Sequence, residues 1–158
     1  TGVLASGPEE VRERCEPVFD AVGNKTVWLG EAGAGSWLKL VVNNWIVGLL
    51  GVLAETIAFA RATGVDPAKF LEVIEGGPLG APYAQMKGTM MIEEDFPTSF
   101  SAKLARKDTG LVLDAAASRD LRLALAEAVA ARFDAAINAG YGENDMAAIY
   151  EATKPERT

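Results

Sequence analysis

The chain has 158 residues, 49% of them apolar and 23% charged, enough for one compact domain with a buried core. Its formal net charge of −7 excludes a protein that grips a nucleic-acid backbone, because that task needs a basic face to displace counterions. It has no histidine, which excludes a Ser/His or Cys/His nucleophile within the chain, and one cysteine, which excludes an intrachain disulfide.

Thr1 to Ser6 (TGVLAS) reads as a short strand with no upstream partner, so the chain is expected to be a piece of something longer. Its start has neither the basic residues nor the apolar run of a secretory signal peptide. Ser6 and Glu9 have capping-box spacing and Pro8 falls in the first turn, which predicts a helix ending at Gly23. The apolar repeat Val11, Cys15, Val18 and Val22 places Cys15 among buried side chains, where a free thiol behaves as a small hydrophobe. A lone thiol without histidines makes no zinc cage, so no metal is expected, and a reducing, cytoplasmic setting fits. Thr26 to Leu29 is a second β-prone run, closed by Gly30.

After Gly33 and Gly35 a helical pattern runs from about Ser36 to Thr63 and stops at Gly64. It is apolar on most sides (Leu38, Val42, Ile46, Leu49, Leu50, Leu53, Ile57), which predicts a helix at a domain's centre. Its most apolar stretch, Trp45 to Ala54, lies between Asn43-Asn44 and Glu55 and is shorter than the roughly 20 residues a span needs, so no membrane is expected. Gly48 and Gly51 leave room for a neighbouring helix. Asp66-Pro67 caps and starts another helix, which ends at Gly76-Gly77. After the breaker-rich GGPLGAP loop come a short helix through Met86 and Met90 and a turn at Asp95 to Thr98. Helical stretches follow from about Ala102 to Ala117 and Leu123 to Ala139, and Asp145 can cap a last short helix. The fold class is therefore mainly α, with a short α/β segment at the N-terminus.

The chemistry has several readings on spacing alone. The glycines at 30, 33 and 35 open a helix and can equally be a flexible lead-in to it. Lys39 and Asn43 stand one turn apart and share a helix face, interrupting an apolar pattern. A lysine buried there would be disfavoured in its charged form, which is one way to make an acid/base; the alternative is a snorkelling lysine beside a satisfied asparagine. Lys107-Asp108 stands among Leu104, Leu111 and Val112 and reads either as a site element or as a solvated charged face.

The segment from Gly30 through Gly33, Gly35 and Lys39 to Asn43 resembles the G-x-x-G-x-G-x-x-x-K-x-x-x-N signature of the β-hydroxyacid dehydrogenases. Phe100 through Lys107-Asp108 resembles that family's F…KD element, and Gly140 to Asp145 its closing G-x-G-x-x-D. Three segments in the right order carry the resemblance over essentially the whole chain. It implies the C-terminal part of a protein like 3-hydroxyisobutyrate dehydrogenase and 6-phosphogluconate dehydrogenase. Residues 1–30 would be the tail of an upstream Rossmann domain, and residues 31–158 a helical substrate and dimerisation domain around one long helix.

The resemblance further implies NAD or NADP as cofactor and a small carboxylate or aldehyde substrate, with homodimers or homotetramers formed through the helical domain. Lys39 would be the catalytic acid/base and Asn43 would bind substrate, while Phe100, Lys107 and Asp108 would meet the cofactor. The expected reaction interconverts a small hydroxy acid and its semialdehyde or keto form, and the fragment alone is expected to be inactive. The alternatives are an imine reductase, a related group that generally lacks the lysine, and a non-catalytic dimerisation scaffold. Trp37 and Trp45 depart from the smaller or aliphatic residues expected around the motif.

Overall fold

The structure is a computed structural model that describes residues 2–154. By its internal packing the chain divides into two compact units, Thr1–Asn43 and Asn44–Thr158. The division falls inside the longest helix, so residues 34–43 of that helix pack in the first unit and 44–62 in the second.

In the first unit, β1 (Gly2–Ala5) and β2 (Lys25–Trp28) pair in parallel, Gly2 opposite Lys25 and Ala5 opposite Trp28. Parallel strands need a crossover, and a 3-10 turn at Glu9–Val11 with α1 (Arg12–Val22) supplies it. Both strands fall where the sequence predicted them, within a residue; Thr1 lies outside the described residues. Ser6 is not the helix cap that its spacing suggested. Pro8 takes the cap position without a side-chain bond, and the Ser6 hydroxyl accepts a hydrogen bond from Gly35 N–H at 3.2 Å instead. The expected burial of α1 also differs: Cys15 is half-buried, while Val18 and Val22 are exposed. Two strands offer too little surface to cover a helix stripe.

The second unit is helical. The helix α2 (Ala34–Ala62) is followed by α3 (Pro67–Ile74), α4 (Pro82–Glu93), α5 (Ala102–Ala117) and α6 (Ala124–Ala136). A π-helical turn at Ile137–Tyr141 prolongs α6, and a 3-10 helix at Met146–Ala152 closes the fold. Asp66 caps α3 by accepting from Ala68 N–H, with Pro67 in the first turn, as the sequence indicated. Gly140, at φ 97°, interrupts the end of α6, a left-handed conformation that glycine adopts without strain.

The core gathers Val47, Leu50, Leu53, Ala54 and Ile57 of α2 with Phe133 of α6 and Ile149 and Tyr150 of the closing helix. Helices α2 and α6 come together at the glycines that the sequence singled out: a Cβ on Gly51 would lie 2.6 Å from Val129 Cγ2, and one on Gly48 3.6 Å from Leu125 Cδ2. The apolar surface of α2, which the sequence places on most of its sides, is only partly covered. One face is buried, but Trp45 (67% exposed), Val52 and Phe59 (69%) lie open. Seven-residue spacing returns them to one face, and among the described residues the other helical segments leave that face uncovered. By length and composition α2 could cross a membrane, with mean hydropathy 1.7 over an 18-residue window. Core helices of soluble proteins pass the same test, and α2 carries the buried core face described above.

Candidate active site

The site residues predicted from sequence fall in both units. In the first, the backbone turns sharply at Gly30 and Gly33, with φ of 74° and 95°, positions where a side chain would be strained. Gly35 serves a different end. A Cβ there would stand 2.8 Å from the Leu4 carbonyl oxygen, so its absence lets the start of α2 lie directly on β1. This close approach, with the Ser6 hydrogen bond, sets where the first turns of α2 point.

Two turns of α2 then present Lys39 and Asn43 to one recess of about 410 Å³, lined also by Gly2, Leu4, Ser36 and Val42. The size suits a small ligand, and the lining combines an ammonium and an amide with aliphatic surface. Lys39 is exposed rather than buried, which corrects the idea of a desolvated lysine within this chain. The physical reason is that α2 buries only one face, and Lys39 lies outside it.

In the second unit, Phe100 precedes α5 and is 37% exposed. Two turns into α5, Lys107 extends into solvent, with its ammonium 4.0 Å from the largely covered Asp108 carboxylate. The start of α5 is fixed by Ser101, whose hydroxyl accepts from Leu104 N–H at 3.4 Å.

Beneath Phe100 lies an ion pair that sequence reasoning missed. Lys87 of α4 is 1% exposed and Asp145 is fully buried, with Nζ 2.7 Å from Oδ1. Oδ1 also accepts from Ala147 N–H at 2.9 Å, capping the closing helix. Oδ2 accepts from Ser99 Oγ at 2.8 Å, Ser99 N–H at 3.1 Å and Phe100 N–H at 3.3 Å. Lys87 Nζ donates to Ser99 Oγ at 3.2 Å as well and lies 5.5 Å from the centre of the Tyr83 ring. Burial pushes the Asp145 carboxyl up, but Lys87 and the backbone and hydroxyl donors outweigh it and hold it below the usual carboxylate range. Burial and the Asp145 charge push the Tyr83 phenol up to about 12.

A signal for Lys87 was present in the sequence. It stands with Ala84, Gly88 and Met91 at helical spacing, all four buried, so a charge occupies an otherwise apolar stripe. Asp145 was read only as a cap, which it is, and as the last residue of a motif.

The chain matches the family model described as the NAD-binding domain of NADP-dependent 3-hydroxyisobutyrate dehydrogenase over residues 33–153. It is 32% identical, over 98% of its length, to glyoxylate/succinic semialdehyde reductase 2 of Arabidopsis thaliana, of which it covers 43%. A crystal structure of 3-hydroxyisobutyrate dehydrogenase from Salmonella typhimurium superimposes with a TM-score of 0.83 at 28% identity, over 92% of this chain and 52% of that one. The Mycobacterium tuberculosis 3-hydroxyisobutyrate dehydrogenase has the same fold, with a TM-score of 0.84 at 24% identity over 95% of this chain and 54% of the other. The chain spans about half the length of the curated relatives it matches.

Proposed function

This chain belongs to the β-hydroxyacid dehydrogenase family, and on that premise we propose that it is the catalytic helical part of an NAD(P)-dependent enzyme reducing a small semialdehyde or keto acid. The reverse reaction oxidises the matching hydroxy acid. Residues 1–30 are then the tail of a dinucleotide-binding domain, a reading supported by the parallel pairing of β1 and β2 through a helical crossover. Residues 31–158 form the substrate domain.

The observation that carries the reading is the recess shared by Lys39 and Asn43. Its donor set fits a carbonyl oxygen beside an aliphatic wall, the surroundings that a nicotinamide and a small polar substrate require. A nicotinamide held there would supply the hydride chemistry, to the carbonyl carbon in reduction and from the alcohol in oxidation. Lys39 gives a proton from its ammonium to the carbonyl oxygen as that oxygen gains charge, and in the oxidising direction its neutral amine takes the proton back. Asn43, one turn along, donates from its amide to a substrate oxygen and holds the reacting group at Lys39. By the family resemblance, Phe100 would offer an aromatic face to a cofactor and Lys107 a cation for its anionic groups, with Asp108 beside Lys107 to orient it.

The exposed stripe of Trp45, Val52 and Phe59 supports pairing with a second copy, since an apolar helix face of this kind is normally covered. Sedimentation of the full-length protein tests it: a species of twice the monomer mass is expected, and Trp45→Glu should dissociate it.

The reaction is tested by following NADH and NADPH oxidation against a panel of short semialdehydes and keto acids, with wild type beside Lys39→Met. Turnover of one substrate, lost by about 10²–10⁴-fold in the variant, is expected for removal of a general acid/base. Wild-type turnover in Lys39→Met would sink the assignment of Lys39. No turnover of any carbonyl would sink the reductase.

A further inference from the structure

An ion pair with no access to water is an expensive way to hold a fold together, because desolvating both charges consumes most of their attraction. Lys87 and Asp145 nonetheless form one, so its use has to be sought in what the pair holds in place. Five donors converge on the Asp145 carboxylate from three elements: Lys87 of α4, Ser99 and Phe100 of the segment before α5, and Ala147 of the closing helix.

Their common effect falls on Phe100. Its N–H donates to Asp145 Oδ2, and its carbonyl accepts from Met146 N–H at 2.8 Å, so the backbone is tied on both sides of the ring. On either side, Asp145 N–H donates to the Phe96 carbonyl at 3.2 Å and Ala102 N–H to the Asn144 carbonyl at 2.9 Å. The segment thus runs as a short ladder against the residues around Asp145, and α5 begins from its last rung at Ser101. The ring itself remains partly open to solvent. A partly exposed ring on a backbone tied at both ends presents one defined surface to whatever meets it.

We propose that Asp145, with Lys87 as its counter-ion, is a positioning residue for the reductase reaction, fixing the Phe100 ring and the origin of the helix that carries Lys107 and Asp108. The proposal rests on the reading of Phe100 as a cofactor-facing residue. Asp145 and Lys87 touch neither cofactor nor substrate and act through Phe100 and α5. Their contribution is geometric: a misplacement of about 1 Å at a site of this kind is enough to cost on the order of 10²-fold in rate.

The test uses the full-length enzyme and a double-mutant cycle between Asp145→Asn and Phe100→Leu, with Ser99→Ala as a milder second probe of the same carboxylate. All variants are assayed well below their melting temperatures, with near-UV circular dichroism to show that they are folded. Each single change is expected to lower kcat by about tenfold or more, and the double variant to be no worse than either, because residues acting through one another are non-additive. Ser99→Ala, which removes one donor from Asp145, should lower kcat by about threefold to tenfold. Hydrogen exchange of residues 96–104 should rise in Asp145→Asn while the rest of the helical unit stays protected.

A folded Asp145→Asn with wild-type kcat, factors that multiply in the double variant, or unchanged exchange at residues 96–104 would each overturn the proposal. Exchange at residues 96–104 that rises in Asp145→Asn, beside a wild type that reduces no carbonyl, would overturn the reductase reading instead and leave the clamp on Phe100 standing.

Discussion

The ammonium of Lys87 stands 2.7 Å from the carboxylate of Asp145, and neither side chain reaches solvent. Lys87 comes from the middle of α4 and Asp145 from the cap of the closing helix, 58 residues later. Removing one partner strands the other charge in the interior. Lys87→Met is therefore expected to cost about 3–5 kcal/mol of stability, far above a surface change. Pairing it with Asp145→Asn should cost less than the sum of the two, because the stranded charge is gone. Urea denaturation of the four proteins measures this, and additive losses would refute it.

The same carboxyl predicts an acid limb. Because Asp145 titrates below its unfolded value of about 3.9, it stabilises the fold above that value and loses its contribution as pH falls through the folded one. Stability should fall more steeply for wild type than for Asp145→Asn from about pH 4 downward. Equal slopes in the two proteins would mean that the pair is not linked to acid unfolding.

All three tyrosines should resist ionisation. Tyr83 is pushed up to about 12 by burial and Asp145; Tyr141 is raised by its hydrogen bond to Glu151, and Tyr150 by burial. A phenol raised in the folded state contributes stability that is complete below the unfolded value of about 10 and is lost as pH rises towards the folded one. Phenolate absorbance should thus appear well above pH 10 in folded protein and near it in urea. A native curve centred near 10 would contradict the burial of Tyr83 and Tyr150.

Gly51 has the opposite of an ordinary helix-glycine phenotype. In an exposed helix, Gly→Ala gains about 1 kcal/mol from propensity. Here the added methyl would meet Val129 Cγ2 at 2.6 Å, and a valine in a helix has few other rotamers to move to. Gly51→Ala is expected to destabilise by about 1–3 kcal/mol, and Val129→Ala in the same chain to recover most of it. Thermal melts decide this, and a stabilised Gly51→Ala would show that α2 and α6 can part.

Lys107 separates function from stability. Its ammonium lies 4.0 Å from Asp108 and its side chain is mostly in solvent, an arrangement worth about 0–1 kcal/mol. Lys107→Ala should leave the melting temperature nearly unchanged and raise KM for the cofactor. An unchanged KM would remove Lys107 from the site.

The pattern of apolar and breaker residues was enough to read the helical class, both strands, every main helix, the close approach at Gly48 and Gly51, and the grouping of Lys39 with Asn43. These features depend on neighbours within a few turns, and periodicity reports such neighbours directly. Even the glycines at 30 and 33 were visible as punctuation, although only the backbone shows that both turn through positive φ while Gly35 serves close packing.

What the tertiary structure alone decided was which partner each group found. Ser6 had capping spacing and bonded Gly35 instead; α2 was apolar on most sides, yet the fold covered one face of it and left Trp45 and Phe59 open; Lys87, given no role from the sequence, became the buried counter-ion of Asp145. A sequence pattern records which faces tend to leave water. It does not record how much surface is available to cover them, or which distant charge arrives in the same cavity, because both depend on packing between segments far apart in the chain.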